Sequence, residues 1–142
     1  MKITKDQHVA FDEFSRACDL VEEYFGDTID DVALNSPVSR QQLVAVLARA
    51  QLSGRQLALE GLPEDGRVVY RSDQETLLWL DGGFWTDVRD THNLEADEGR
   101  AAREVHRRIL EAVDGDVGYT DRQRDPFVLI DRFGRYDGPS ET

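Results

Sequence analysis

Residues Arg67 to Val88 read RVVYRSDQETLLWLDGGFWTDV, and the β part of the fold is predicted from this segment. It holds three runs rich in β-branched and aromatic residues, separated by short polar turns such as Asp81-Gly82-Gly83. Runs of this kind joined by turn residues predict a three-stranded antiparallel meander. We expect its strands at residues 68–70, 76–80 and 84–88.

Two helices are expected before the meander. Thr4 with Gln7 forms a capping box, and apolar residues then recur at helical spacing up to Gly26, which predicts a first helix ending there. Ser39 with Gln42 starts a second helix in the same way. Its end is undecided between Gly54 and residue 61, because an internal glycine costs only about 1 kcal/mol relative to alanine.

Helix and strand patterns also follow the meander. Residues 94–113 carry an apolar stripe on one side, which predicts a third amphipathic helix. Residues 126–130 are apolar enough for a fourth strand against the meander. The expected fold is therefore α+β, in the order ααβββαβ, with a small, mainly antiparallel sheet and helices packed on one face. We expect one domain over residues 1–134 and a frayed tail over 135–142.

Charge is the most informative bulk property of the chain. There are 29 acidic and 17 basic residues, for a net charge of -12; aspartate outnumbers glutamate, and lysine occurs only at Lys2 and Lys5. An acidic surface stays hydrated when salt screens its self-repulsion, as halophilic proteins require. We therefore expect a halophilic, haloarchaeal source; a bacterium with GC-rich DNA would explain the arginine but not the aspartate excess.

The compartment is predicted from what the sequence lacks. It has a single cysteine, Cys18, no run of about 18 apolar residues to span a bilayer, and no apolar signal segment after Met1. We expect a cytoplasmic protein without a membrane partner.

The aromatic residues of the meander suggest a binding surface. Adjacent strand residues point to opposite faces, so Phe84 and Trp85 cannot both face one core, and the side with Trp85 would need a partner. The leading hypothesis is a non-enzymatic interaction or regulatory protein that binds another protein or self-associates as a homodimer. The proposed contact residues are Tyr70, Trp79, Phe84 and Trp85.

A DNA-binding transcriptional regulator is the first alternative. Residues 39–50 and 53–62 resemble a helix-turn-helix in element order, and residues 68–80 would form the wing of a winged helix. This hypothesis requires four arginines to gather on one surface, where they would contact phosphates. They are Arg40, Arg55, Arg67 and Arg71.

A metal-dependent hydrolase is the second alternative. Asp87, Asp90 and His92 supply oxygen and imidazole ligands near the end of the third predicted strand, although Asp90 could equally cap the following helix. The acidic loop from Asp114 to Asp121 starts like a calcium loop but lacks glycine at the sixth position, where Tyr119 stands. We see no phosphate-binding loop and no nucleophile elbow, and we expect no cofactor.

Overall fold

The computed structural model describes residues 3–60, 67–80, 83–114 and 124–130, with side chains described from residue 12 to residue 113 within these ranges and over 124–130. It confirms the α+β class. The elements are α1 (Ile3–Leu34), α2 (Arg40–Glu60), β1 (Arg67–Arg71), β2 (Glu75–Leu80), α3 (Phe84–His92), α4 (Ala96–Asp114) and β3 (Asp125–Ile130). The boundary at residue 134, the tail 135–142 and most of the acidic loop lie outside the described residues.

The three strands form one antiparallel sheet in the order β1-β2-β3. The pairing of β1 with β2 contains a bulge at Val69, between the pairs Val68 with Leu78 and Tyr70 with Leu77. Both β2, from Thr76 onward, and β3 are buried along their length. Since successive strand residues point to opposite faces, both faces of these two strands are covered.

The predicted strand over residues 84–88 is wrong, because this segment is the helix α3. Gly83 begins it with a φ of 110°, and Trp85 and Val88, three residues apart, both face the core as helical spacing requires. The place beside β2 is taken by the predicted fourth strand, which is β3. Aromatic content alone favoured a strand; tertiary contacts determined a helix.

The first helix is longer than its sequence predicts. It passes Gly26 and continues to Leu34, since Ile29 and Val32 extend the buried stripe begun by Val21 and Phe25. The predicted end at Gly26 is therefore wrong.

The second helix resolves the question left open at Gly54. It runs through Gly54 to Glu60, and the Phe127 ring of β3 lies against the glycine. Its capping box is formed as predicted: Ser39 N–H donates to Gln42 Oε1 at 2.9 Å, and Gln42 N–H donates to Ser39 Oγ at 3.1 Å.

The core lies where all four helices meet the sheet. Its largest fully buried apolar side chains come from α1, α2, α4 and all but the first strand; they include Phe25, Ile29, Leu43, Leu47, Leu77, Leu78, Leu110, Phe127 and Ile130. Within the described ranges, no helix has the length and apolar character needed to cross a membrane.

Candidate functional site

The outer edge of β3 has no neighbouring strand in the described part of the chain, and Gln51 of α2 takes the place of one. Gln51 is buried; its Nε2 donates to the Val128 carbonyl oxygen at 2.6 Å, and its Oε1 accepts from Ile130 N–H at 3.0 Å. A primary amide carries one donor and one acceptor side by side, as a backbone peptide group does. Gln51 therefore completes the hydrogen bonding of β3 as a strand would.

Two ring nitrogens complete the same edge. The Val128 N–H donates to His106 Nδ1 of α4 at 2.9 Å, and Trp85 Nε1 of α3 donates to the Pro126 carbonyl oxygen at 2.9 Å. Proline has no N–H to satisfy. From the Pro126 carbonyl to the Ile130 N–H, the backbone groups of β3 that point away from β2 are therefore bonded to side chains, and these groups are not available to a further strand.

The start of β3 is fixed to α3 and α4 through Asp125. One carboxylate oxygen accepts from the N–H groups of Gly83 and Trp85 at 3.1 Å each, and the other accepts from Arg103 Nε at 3.2 Å. A carboxylate at a helix N-terminus satisfies free N–H groups and interacts favourably with the helix dipole. Asp125 thus holds α3 in position from 40 residues away in sequence.

His106 is fully buried and neutral. Because Nδ1 accepts the Val128 N–H, the ring proton is on Nε2, which has no hydrogen-bond partner among the described residues. The ring stacks on Phe127 at 5.2 Å and meets Trp85 edge to face at 4.9 Å. Burial lowers the pKa of His106 to about 3, since an imidazolium there would be desolvated without a counter-charge.

This shift predicts acid sensitivity. His106 binds a proton with a pKa near 6.5 when unfolded and about 3 when folded, so its contribution to stability is complete above pH 6.5 and falls as the pH drops toward 3. The expected loss is about 2 kcal/mol at pH 5. Denaturant unfolding from pH 7.5 to 4 should show His106→Gln losing stability less steeply than the wild type; parallel curves would contradict the assignment.

The opposite edge of the sheet, β1, is different. Val68 and Tyr70 are 45% and 46% exposed, and Arg67 and Arg71 are exposed at its two ends. Among the described residues, no backbone hydrogen bond joins the outer side of β1 to another segment. This surface, residues 67–71, is called the β1 edge below.

The register shows which backbone groups the β1 edge presents. In an antiparallel sheet the backbone groups of successive residues alternate between the two neighbouring strands. The N–H and C=O groups of Val128 point away from β2. When this alternation is followed across the pairing of β3 with β2 and then of β2 with β1, the N–H and C=O groups of Arg67 and Tyr70 point toward β2. Val68 and Arg71 therefore turn their N–H and C=O groups outward.

The four aromatic residues expected to contact a partner are separated by the fold. Trp79 and Trp85 are only 2% and 4% exposed, because the segment that carries Trp85 is a helix packed on the core. Phe84 is half-buried, with its ring centroid 4.7 Å from that of Phe127. Their proposed exposure is wrong for the two tryptophans; Tyr70 alone of the set lies on an accessible strand.

The arginines of the DNA-binding alternative do not form one positive surface. Arg40 and Arg55 lie at opposite ends of α2, about 22 Å apart along its axis. Arg40 pairs with Asp30 at 2.7 Å and with Glu22 at 2.9 Å. The turn that this alternative needs near residues 51–52 is not formed, because α2 is continuous there; Arg67 and Arg71 lie on β1.

The proposed metal ligands all lie on α3, but they do not converge. His92 Nε2 instead shares a hydrogen bond of 3.0 Å with Ser53 Oγ of α2. Burial, and then the Arg49 cation, lowers the pKa of His92. Asp87 lines a cleft of about 180 Å³ between α2 and α3, and Asp90 is exposed. Over the described ranges, no three His, Cys, Asp or Glu side chains are grouped to hold a metal ion.

A larger groove of about 360 Å³ lies between the end of α1 and α4. Its charges are paired within α4: Arg100 with Asp97 at 3.0 Å, and Arg108 with Glu104 at 2.8 Å. Hydrogen bonds from Arg107 and Arg108 lower the pKa of Glu104 despite its partial burial. The groove therefore offers a charged ligand little that is not already neutralised.

Sequence reasoning did not predict the roles that Gln51, His106 and Asp125 have at β3. A signal was present for two of them: Gln51 follows the buried positions Leu47 and Ala50, and His106 follows Val105 within the apolar stripe of α4. A polar residue on a buried stripe needs a hydrogen-bond partner. The partner itself could not be named from the sequence, because it lies far away along the chain.

The fold and the two contrasting sheet edges define a small α+β protein. In the part of the chain that the structure describes, side chains bond to one edge of the sheet and no segment forms backbone hydrogen bonds with the other. The chain belongs to the family Domain of unknown function (DUF8048), whose model matches residues 19–131. Neither the search of curated proteins nor the search of solved structures found a match.

Proposed function

We propose that this is a non-enzymatic interaction protein that binds an extended segment of another protein along the β1 edge. The observation that supports it is the contrast between the two edges. On β3, outward backbone groups are bonded to Gln51, His106 and Trp85, whereas on β1 those of Val68 and Arg71 point outward. An added strand would bond to these groups, as in other proteins that bind peptides by strand addition.

The side chains of the β1 edge suit such a partner. Val68 and Tyr70 together offer apolar surface at a sheet edge, where exposed apolar residues favour association. The bulge at Val69 and the charges of Arg67 and Arg71 are features that prevent unselective edge pairing. We infer that β1 selects its partner rather than pairing with any strand.

We also propose that this interaction takes place in a salt-rich cytoplasm. A net charge of -12 on 142 residues supports the proposal, because such a surface remains soluble where salt screens it. Arginine in place of lysine is consistent with pairs such as Arg40 with Asp30.

Val68→Pro tests the proposed edge binding. Proline removes the outward N–H of Val68 but no hydrogen bond between β1 and β2, so the fold should be retained. Peptides would be selected from a phage-displayed random library against the wild-type protein and their affinities measured with the soluble protein. We expect Val68→Pro to bind them about tenfold more weakly.

Val68→Thr is the matched control, since threonine keeps both the N–H and the β-branched shape. It should bind the selected peptides as the wild type does, and circular dichroism should show all three proteins folded. If the peptides bind folded Val68→Pro as well as the wild type, the β1 edge is not their site.

A further inference from the structure

We propose that the segment bound at the β1 edge is acidic, with two carboxylates placed to meet Arg67 and Arg71 on either side of a short apolar run. This inference rests on the proposed function and adds the chemistry of the partner. It is carried by the charges of β1 and their positions in the register.

Both charged residues of β1 are arginines, and both are exposed. Across the bulge, Arg67 shares a face with Tyr70, and Val68 shares the other face with Arg71. Each face of the strand therefore presents one apolar and one cationic side chain. A partner strand of four residues with acidic ends and an apolar middle matches both faces, because its first and last side chains point to opposite faces.

A second copy of this chain matches β1 poorly. An antiparallel pair of β1 strands would bring four arginines together with no carboxylate to pair with them, and repulsion among like charges destabilises a sheet. Carboxylates at the same positions would instead form ion pairs. The strand that β1 fits is therefore acidic rather than a copy of itself.

The protein as a whole is acidic, with a net charge of -12, whereas the charged residues of β1 are both basic. At long range the net charge repels an acidic partner. In about 1 M salt the screening length is about 3 Å, so the long-range repulsion disappears while contact ion pairs keep part of their attraction. Arg67 already takes part in an interaction within the chain. We therefore expect Arg71 to contribute most of the preference for acid.

Two synthetic peptides test this inference: Thr-Glu-Val-Val-Glu-Thr and the same peptide with glutamine for each glutamate, both acetylated and amidated. Their affinities would be measured by fluorescence anisotropy in about 1 M potassium chloride, where the screening length is about 3 Å. The wild type should bind the acidic peptide about fivefold more tightly than the neutral one. Arg71→Gln should remove most of this preference, whereas Arg100→Gln, which changes an exposed arginine of α4, should keep it.

Each other outcome decides between the two proposals. Equal affinity for both peptides, lost in Val68→Pro, overturns the acidic preference and retains edge binding. Binding that Val68→Pro does not weaken overturns both. A dimer seen by analytical ultracentrifugation in the wild type and absent in Val68→Pro, without peptide binding, identifies a second copy as the occupant and overturns the acidic partner.

Discussion

Replacing Gly54 with alanine is expected to lower the free energy of unfolding by about 2 to 3 kcal/mol. In an exposed helix the same change would stabilise, because alanine has the better helix propensity by about 1 kcal/mol. At Gly54 an added Cβ would overlap the Phe127 ring, which is itself buried against His106 and Phe84. Phe127 has little room to move away, so the steric cost exceeds the gain in propensity.

Gly26→Ala is the matched control, since Gly26 is also inside a helix and an added Cβ there meets nothing within 4 Å. It should raise the free energy of unfolding by up to about 1 kcal/mol. Urea denaturation measures both variants. A stabilised or unchanged Gly54→Ala protein would show that Phe127 does not pack against α2 as described.

Gln51→Met should cost about 3 kcal/mol, because it leaves two buried backbone groups of β3 without partners. Methionine has nearly the same length and flexibility as glutamine, so the core remains filled while the bonds to Val128 and Ile130 are lost. Hydrogen exchange of the Ile130 amide should also become faster, because its acceptor has been removed.

Gln41→Met provides the comparison, since Gln41 is exposed on the same helix. A surface change of this kind should alter the free energy of unfolding by no more than about 0.5 kcal/mol. Equal effects of the two substitutions would mean that the Gln51 amide contributes no more than an exposed one.

The α+β class could be predicted because it depends on local patterns. Apolar spacing located both early helices, the capping box at Ser39 was correct to the residue, and β-branched runs located β1, β2 and β3. These features arise from neighbours in sequence.

The segment from Phe84 to Val88 could not be predicted in the same way. Its aromatic residues favour a strand locally, but the Asp125 carboxylate bonds to its first N–H groups and Trp85 reaches the Pro126 carbonyl. Those contacts join parts of the chain about 40 residues apart, and the local sequence pattern does not indicate them. The prediction that Trp85 is exposed depended on the predicted strand, so it is wrong for the same reason.

The candidate site was predicted only in part. Tyr70, Arg67 and Arg71 were named, but as members of two separate hypotheses, one for protein binding and one for DNA. Only the sheet order shows that they share one edge, since strand neighbours are fixed by long-range pairing.

The closure of β3 by Gln51, His106 and Trp85 also determines how an assembly can grow. A sheet that can accept a strand on one side only does not propagate an assembly: under the proposed function, each copy would bind one partner strand and offer no second edge for the next. Exposed strands usually carry the risk that further copies stack into a fibre. Here the bonded edge of β3 prevents that stacking, because a fibre needs two free edges on each copy. A complex formed through β1 would therefore be closed, and we expect one partner strand for each copy of the protein.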